Sequence, residues 1–478
     1  MTAARDIVTD ASTSVVGIAP HYGLFIGGEF VEPIDGTTFR TVNPATEEAL
    51  AEVSEGGSLD VDRAVRAARG ASRTWSKTSG ADRARYLYRI ARLVQERSRE
   101  LAMLEALDSG RPIRLSRDVD IPRASAYFFY YAGWADKLEY AGYGSRSYGV
   151  AAQILRWNVP LLLLARKVAP ALACGNTIVL KPAETTPLTA LAFADICQQV
   201  GLPDGVVNIV TGDAATGRAL VEHPDVDKIV FTGSREVGKQ IQRAVAGTRK
   251  SLTLDLSSLA VNIIFDDAPI DAAIEGIVEG IFMNAARNCA AGARLLVQEP
   301  VIEAVVDRLK VRLGTLRLAD PLDKSTDVGP IGNPDQYARL QEWVRAGETD
   351  GGERWSAPCV LPDRGWWFPP TIVTGVPADH HLGQDEVVGP AMSVLAFRTP
   401  EEAVAQANTT PSGLCAGVWS ETGARALWTA SRLRAGVVWT NTFGHFDPTS
   451  PIGGVGESGF GREGGREGLA PYLRAEVV

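Results

Sequence analysis

The chain has 478 residues, 45% hydrophobic and 22% charged, with a formal net charge of -9 at pH 7. That length exceeds what one core fills, so two or three domains are expected. The acidic balance argues against nonspecific binding to nucleic acid or anionic membranes. The five cysteines, Cys174, Cys197, Cys289, Cys359 and Cys415, are widely spaced and form no CxxC pair. This suggests neither a disulfide framework nor a zinc site, and it fits a reducing cytoplasm. His380 and His381 are adjacent, a spacing that matches no helical metal pair, so no metal is expected. Met1–Pro20 reads as a loose leader rather than a signal peptide. The densest apolar run, Val159–Leu164, is soon followed by Arg166 and Lys167 and falls far short of a membrane span.

Leu24–Phe30 and Thr41–Pro44 read as short strands joined by turns. Ser58 is placed to cap a helix whose Val61, Ala64, Val65 and Ala68 share a face. A long helix is predicted over Ala81–Leu107, and an aromatic-rich one over Arg123–Tyr140. Ala141–Val150, rich in Gly and Tyr, breaks the helical pattern.

From Ala151 the texture changes. Apolar strands at Ala151–Leu155, Thr177–Leu180, Val206–Val210 and Lys228–Phe231 alternate with helices at Pro160–Ala173, Leu188–Val200, Ala214–Glu222 and Glu236–Val245. Such alternation predicts a doubly wound parallel sheet, which binds ligands at the carboxyl ends of its strands. A second alternating series begins at Val261–Phe265 and the Ala272–Asn284 helix. It continues through Leu295–Gln298, Val301–Leu313, Ala391–Phe397, Glu401–Ala407, Gly417–Ser420 and Gly423–Arg432 to Gly436–Asn441. The tail is Gly-rich from Gly453 to Gly468. Its end, Tyr472–Val478, is a strand candidate that could pair with another chain's edge.

Several residues could carry chemistry, and each has a plainer reading. Cys289 follows an apolar helix in a small-residue loop; most free cysteines are buried core residues, but this one can be approached closely. Phe231-Thr-Gly-Ser234 joins a strand to a helix, so Gly233 permits a tight turn and the free amides beyond it can receive a phosphate. A plain turn has the same appearance. Lys181 and Glu184 end a parallel strand and are either a solvated pair or a ribose-binding pair; a carboxylate there disfavours a 2′-phosphate. Trp157 reads as packing. Asn158 is either a turn residue or an oxyanion donor. Asp255 lies in an apolar strand, where a carboxylate finds partners or shifts its pKa upward; it is either a turn cap or a general base.

Trp157-Asn158, Lys181-Pro-Ala-Glu184, Phe231-Thr-Gly-Ser234, Asp255, Asn284 with Cys289, Glu386 with Gly389-Pro390, and Pro451-x-Gly-Gly with Ser458-Gly-x-Gly-Arg462 occur in a fixed order. In this the chain resembles the aldehyde dehydrogenase superfamily, from roughly Leu24 to the end. The resemblance implies an α/β fold of two doubly wound domains plus a small β oligomerisation element. The NAD-binding domain would span 1–134 and 151–262, the catalytic domain 263–457, and the oligomerisation element 135–150 and 458–478. It implies oxidation of an aldehyde to an acid through a thiohemiacetal and a thioester on Cys289. Asn158 would hold the oxyanion, and Asp255 would stand at the base position. The cofactor would be NAD rather than NADP, bound by Trp157, Lys181, Glu184, Gly212, Phe231, Gly233, Ser234, Leu256 and Glu386. A cytoplasmic homodimer or homotetramer follows, with no nucleic-acid or membrane partner. The aldehyde channel would draw on Phe128, Tyr131, Phe282 and Thr442–Thr449.

The chain departs from the family pattern around one place. The usual Glu-Leu-Gly-Gly-Lys is Asp255-Leu-Ser-Ser-Leu259, which shortens the carboxylate by roughly 1.5 Å of reach. Ser257 and Ser258 add side chains where glycines let backbone pass close. Gly-Gln before the nucleophile is Ala286-Arg287, Pro-Trp-Asn-Phe is Arg156-Trp-Asn-Val159, and Val388 replaces an aromatic. Three readings stay open: an NAD-dependent aldehyde dehydrogenase; a catalytically degenerate subunit with a binding or structural role, able to assemble with an active homologue; and a variant transferring its acyl group to coenzyme A.

Overall fold

A computed structural model describes residues 16–144, 146–283, 291–377, 380, 382 and 388–474. Its first sheet has eight strands. Five central ones are parallel, in the spatial order Ser251–Leu256, Lys228–Gly233, Val150–Ile154, Thr177–Lys181 and Val207–Ile209. Antiparallel strands flank them, Gly459–Phe460 on one side and the Leu24–Ile26/Glu29–Val31 hairpin on the other. Side chains alternate between two cores. Ala151, Ile178 and Leu180 face one; Ala152, Ile154 and Val179 face the other. Both faces are covered by helices, as near-continuous apolar strands require.

The second sheet has seven strands, and Val261–Ile264 lies between Arg294–Gln298 and Cys415–Trp419. All its pairings are parallel except Glu353–Ser356 with Thr371–Thr374. The expected pair of doubly wound sheets is therefore present. The small third element pairs Arg146–Ser147 with Leu473–Arg474 of the same chain. Residues 475–478 lie outside the described residues. No helix among the described residues is long and apolar enough to cross a membrane.

Three local expectations change. The Ser58–Trp75 helix is not capped by the Ser58 side chain; the Asp60 carboxylate reaches back to the Gly57 N–H at 3.0 Å. The predicted Ala81–Leu107 helix is two helices, Gly80–Glu96 and Ser98–Ser109. They break at Arg97, whose guanidinium takes both oxygens of Glu100 at 2.9 and 2.6 Å; the apolar spacing runs on across the break. The Arg123–Tyr140 helix stops at Ala132, before Gly133, and resumes for one turn at Leu138–Ala141.

The Ser98–Ser109 helix positions the turns that follow two central strands. Its Glu105 accepts from the Leu161 N–H at 2.8 Å, at the start of the Pro160–Ala173 helix. Its Asp108 accepts from the Leu188 N–H at 2.9 Å, at the start of the Leu188–Gln199 helix, and from the Thr41 hydroxyl at 2.7 Å. Burial, reinforced by the Asp120 charge, pushes Glu105 up to about 8; burial pushes Asp108 up to about 7. Folded values above the unfolded ~4 mean that these two groups' contribution to stability is fully present below about pH 4 and is lost as pH rises to 7 to 8. Glu105→Gln keeps an oxygen for the Leu161 N–H and carries no charge. Thermal unfolding midpoints between pH 5 and 9 should therefore fall less steeply for this variant than for the wild type; an equal slope would exclude Glu105 as the source.

Candidate active site

Along the first sheet the chain steps from Val150–Ile154 outward through Thr177–Lys181 to Val207–Ile209. It then returns to the opposite side of Val150–Ile154 with Lys228–Gly233. Strand order thus reverses between Val150–Ile154 and Lys228–Gly233, and a ligand crevice belongs at that point. A cleft of about 680 Å³ opens there, and Trp157, Lys181, Glu184, Phe231, Gly233 and Ser234 all line it.

Each wall residue has a local reason for its place. Lys181 is buried, and burial lowers its ammonium pKa, opposed by Glu184. Its Nζ donates to the Pro182 carbonyl at 3.1 Å and to Glu184 Oε2 at 3.4 Å. Glu184 is more than half exposed, free to turn toward a ligand. Ser234 caps the Arg235–Val245 helix by accepting from the Val237 N–H at 3.3 Å. The helix's first residues face the cleft, where their amides suit an anion. The Trp157 ring lies against Gly332, where a Cβ would come within 2.6 Å of it.

Gly212 and Leu256 lie behind this wall. Gly212 has φ +150°, and a Cβ there would come 2.2 Å from the Thr216 hydroxyl. Leu256 packs under Gly238 of the capped helix. Sequence reasoning missed Arg218, Arg235, Gln336, Arg339 and Trp343, which also line the cleft. The last three come from the Pro334–Thr349 helix, far along the chain, and no local motif marks them.

Asn158 is buried, two residues before the Pro160–Ala173 helix. Asp255 is buried in its strand, paired with Thr232 on one side and Gly459 on the other. It does not stand alone. Arg166 Nη2 donates to Asp255 Oδ2 at 2.6 Å, and Arg166 Nε to Glu463 Oε2 at 2.7 Å. Lys167 pairs with the other oxygen of Glu463. Burial pushes the Asp255 carboxyl up, and the Arg166 cation opposes it. Burial acts on Glu463 too, but Lys167 and Arg166 together outweigh it and hold its carboxyl low. Sequence reasoning missed Arg166 and Glu463; adjacent cations inside an otherwise apolar helix were the available signal, because buried charges need partners.

Ser257 lines the cleft, while the Ser258 hydroxyl turns away to accept from the Leu414 N–H at 3.3 Å. Arg156 and Val388 line the cleft as well. Phe128 and Tyr131 are core residues: Phe128 stacks on Phe193 with centroids 5.6 Å apart, and Tyr131 donates to the Gly465 carbonyl at 3.0 Å. Cys289, Asn284, Arg287 and Glu386 lie outside the described residues. The flanks of 284–290 are buried Phe282 on one side and the Arg294–Gln298 strand on the other. Among the described cysteines, burial pushes the Cys174, Cys197 and Cys359 thiols up, away from the reactive thiolate.

A model of the aldehyde dehydrogenase family matches residues 30–478. The chain belongs to the aldehyde dehydrogenase family. It is 41% identical over 472 residues to aldehyde dehydrogenase family 2 member B4, mitochondrial, of Arabidopsis thaliana, covering 96% of this chain and 88% of that one. Its fold matches an aldehyde dehydrogenase from Bacillus cereus, solved as an NAD+ complex, with a TM-score of 0.94 and 37% identity over 98% of both chains. An NAD-dependent aldehyde dehydrogenase from Sinorhizobium meliloti matches with a TM-score of 0.92 and 36% identity, over 95% of this chain and 93% of that one. The family catalyses NAD-dependent aldehyde oxidation.

In this aldehyde dehydrogenase a Cβ on Gly233 would meet the Phe231 ring at 2.2 Å. The ring lines the cleft, so any shift it makes to yield reshapes the cleft wall. Gly233→Ala should weaken NAD+ binding on the order of tenfold in a fluorescence titration, with the unfolding temperature little changed. Unaltered affinity would contradict this account of the cleft.

Proposed function

We propose that the chain oxidises an aldehyde to a carboxylic acid with NAD, through a thiohemiacetal and then a thioester on Cys289. The observation that carries the reading is the switch-point cleft with Lys181 and Glu184 in one wall. The residues fit a dinucleotide: helix-start amides suit its phosphates, and Glu184 suits ribose hydroxyls while repelling a 2′-phosphate. NAD is thereby favoured over NADP, with Trp157, Phe231 and Glu386 as further contacts. Bound NAD supplies the hydride acceptor.

The Cys289 thiolate bonds to the aldehyde carbon, while the Asn158 amide and the Cys289 N–H donate to the developing alkoxide. The thioester that follows is attacked by water. Asp255 takes the water's proton, the carbon–sulfur bond breaks, and Cys289 leaves as the thiolate. Burial raises the proton affinity of Asp255, which suits a base near neutral pH. Dependence on a free thiolate favours the cytoplasm. The Arg146–Ser147/Leu473–Arg474 pair offers strand edges to a second copy, which supports a homodimer or homotetramer.

Purified protein with a panel of aldehydes should form NADH, and Cys289→Ser should abolish it; NADH formation by that variant would overturn the nucleophile. Asp255→Asn should keep a burst of NADH yet lose steady-state turnover on the order of 100-fold or more. Glu184→Gln should lower the KM for NADP on the order of tenfold, and an unchanged cofactor preference would overturn the ribose-pair assignment.

A further inference from the structure

Arg166 has no part in the chemistry above, yet it is buried against the proposed base. The Cα of Asp255 is fixed by ladder pairing with Thr232 and Gly459, so only its side-chain torsions decide where its oxygens lie. Two donors among the described residues reach the same oxygen: Arg166 Nη2 at 2.6 Å and the Thr232 hydroxyl at 3.4 Å both go to Oδ2. Oδ1 is fully buried and has no hydrogen-bond partner among the described residues. Such an atom is costly unless something else comes to it.

We infer that Arg166 is a positioning residue for the hydrolytic step: it fixes Asp255 through Oδ2 and reserves Oδ1 for the proton of the attacking water. This rests on the assignment of Asp255 as the base. Arginine suits the task because its planar fork serves two acceptors at once, Asp255 through Nη2 and Glu463 through Nε. A lysine ammonium keeps the charge but not the fork.

The charged surroundings set the sign of the pH effect. Arg166 and Lys167 face Asp255 from the Pro160–Ala173 helix, Glu463 from the tail, and Thr232 from the neighbouring strand. Tyr127 and Tyr472 face Arg166 and Glu463, and Lys228 faces Glu463. Without Arg166, burial and the Glu463 charge both raise the Asp255 carboxyl. Its deprotonation, and with it the acidic limb of turnover, must then move to higher pH.

The experiment follows NADH burst and steady-state kcat against pH for the wild type, Arg166→Gln, Arg166→Lys and Asp255→Asn. Arg166→Gln should keep its burst within about twofold, lose turnover on the order of tenfold or more, and shift its acidic limb up by about one to three pH units. Arg166→Lys should recover most of the pH shift but not the turnover. An unmoved limb in Arg166→Gln, or burst and turnover falling by one common factor, overturns the inference. If Arg166→Gln does not fold, Arg166→Lys carries the test alone, and wild-type turnover in it is the overturning result. Full turnover by Asp255→Asn removes the base assignment itself. Loss of turnover there, with an unmoved limb in the Arg166 variants, removes only the role given to Arg166.

Discussion

A helix buried on nearly every side cannot carry two cations unless two anions meet it. Arg166 and Lys167 sit in such a helix, and Asp255 and Glu463 meet them from a strand and from the tail. The four charges cancel, and removing any one leaves its partner buried and uncompensated, at a cost of about 3–5 kcal/mol. The rest of the tail follows from this. Gly459–Phe460 joins the sheet beside Asp255, the Leu256 N–H donates to the Ser458 carbonyl at 3.0 Å, and Glu463 exchanges backbone hydrogen bonds with Ile452. Gly459 sits at φ +99°, with a Cβ position 2.1 Å from the Leu254 carbonyl, so only glycine lets the tail approach this closely.

A second set of buried carboxylates fixes the turns on which the candidate groups ride. Glu105 holds the Leu161 N–H, three residues after Asn158, and Asp108 holds the Leu188 N–H, four residues after Glu184. One helix, Ser98–Ser109, thereby sets both turns against the same crevice. The donors differ in kind from the Asp255 partner. Backbone amides at helix starts are neutral, so Glu105 and Asp108 are pushed up chiefly by burial; Arg111 offsets part of it at Glu105, while at Asp255 the offsetting cation, Arg166, is itself a hydrogen-bond donor to the carboxylate.

Local chemistry explains what the sequence could reveal. Strands buried on both faces are nearly continuous in apolar residues, so Val150–Ile154, Thr177–Lys181 and Lys228–Gly233 announce themselves, and their carboxyl ends and the turns after them carry Trp157, Lys181 and Ser234. What stayed hidden depends on distance along the chain. Glu463 is 297 residues from Arg166, and no periodicity links them. The break at Arg97 was hidden for the opposite reason: the apolar spacing continues through it, and only a side chain closing on Glu100 marks it. Gln336, Arg339 and Trp343 reach the first sheet's cleft from a helix of the second, which depends on how the two sheets dock.

The short carboxylate at position 255 therefore cannot be judged by itself. Seen against the family pattern it loses one methylene, roughly 1.5 Å of reach. In the fold, the guanidinium of Arg166 stands 2.6 Å from the end of that shorter side chain. A glutamate on the same fixed Cα would drive its carboxylate toward that guanidinium or past it, and the buried arginine has no water to retreat into. Asp255 and Arg166 are thus one steric and electrostatic unit: the cation is bonded to the end of the shorter acid. Lengthening the acid without removing the cation trades reach for a clash, so base strength at this site is a property of the pair.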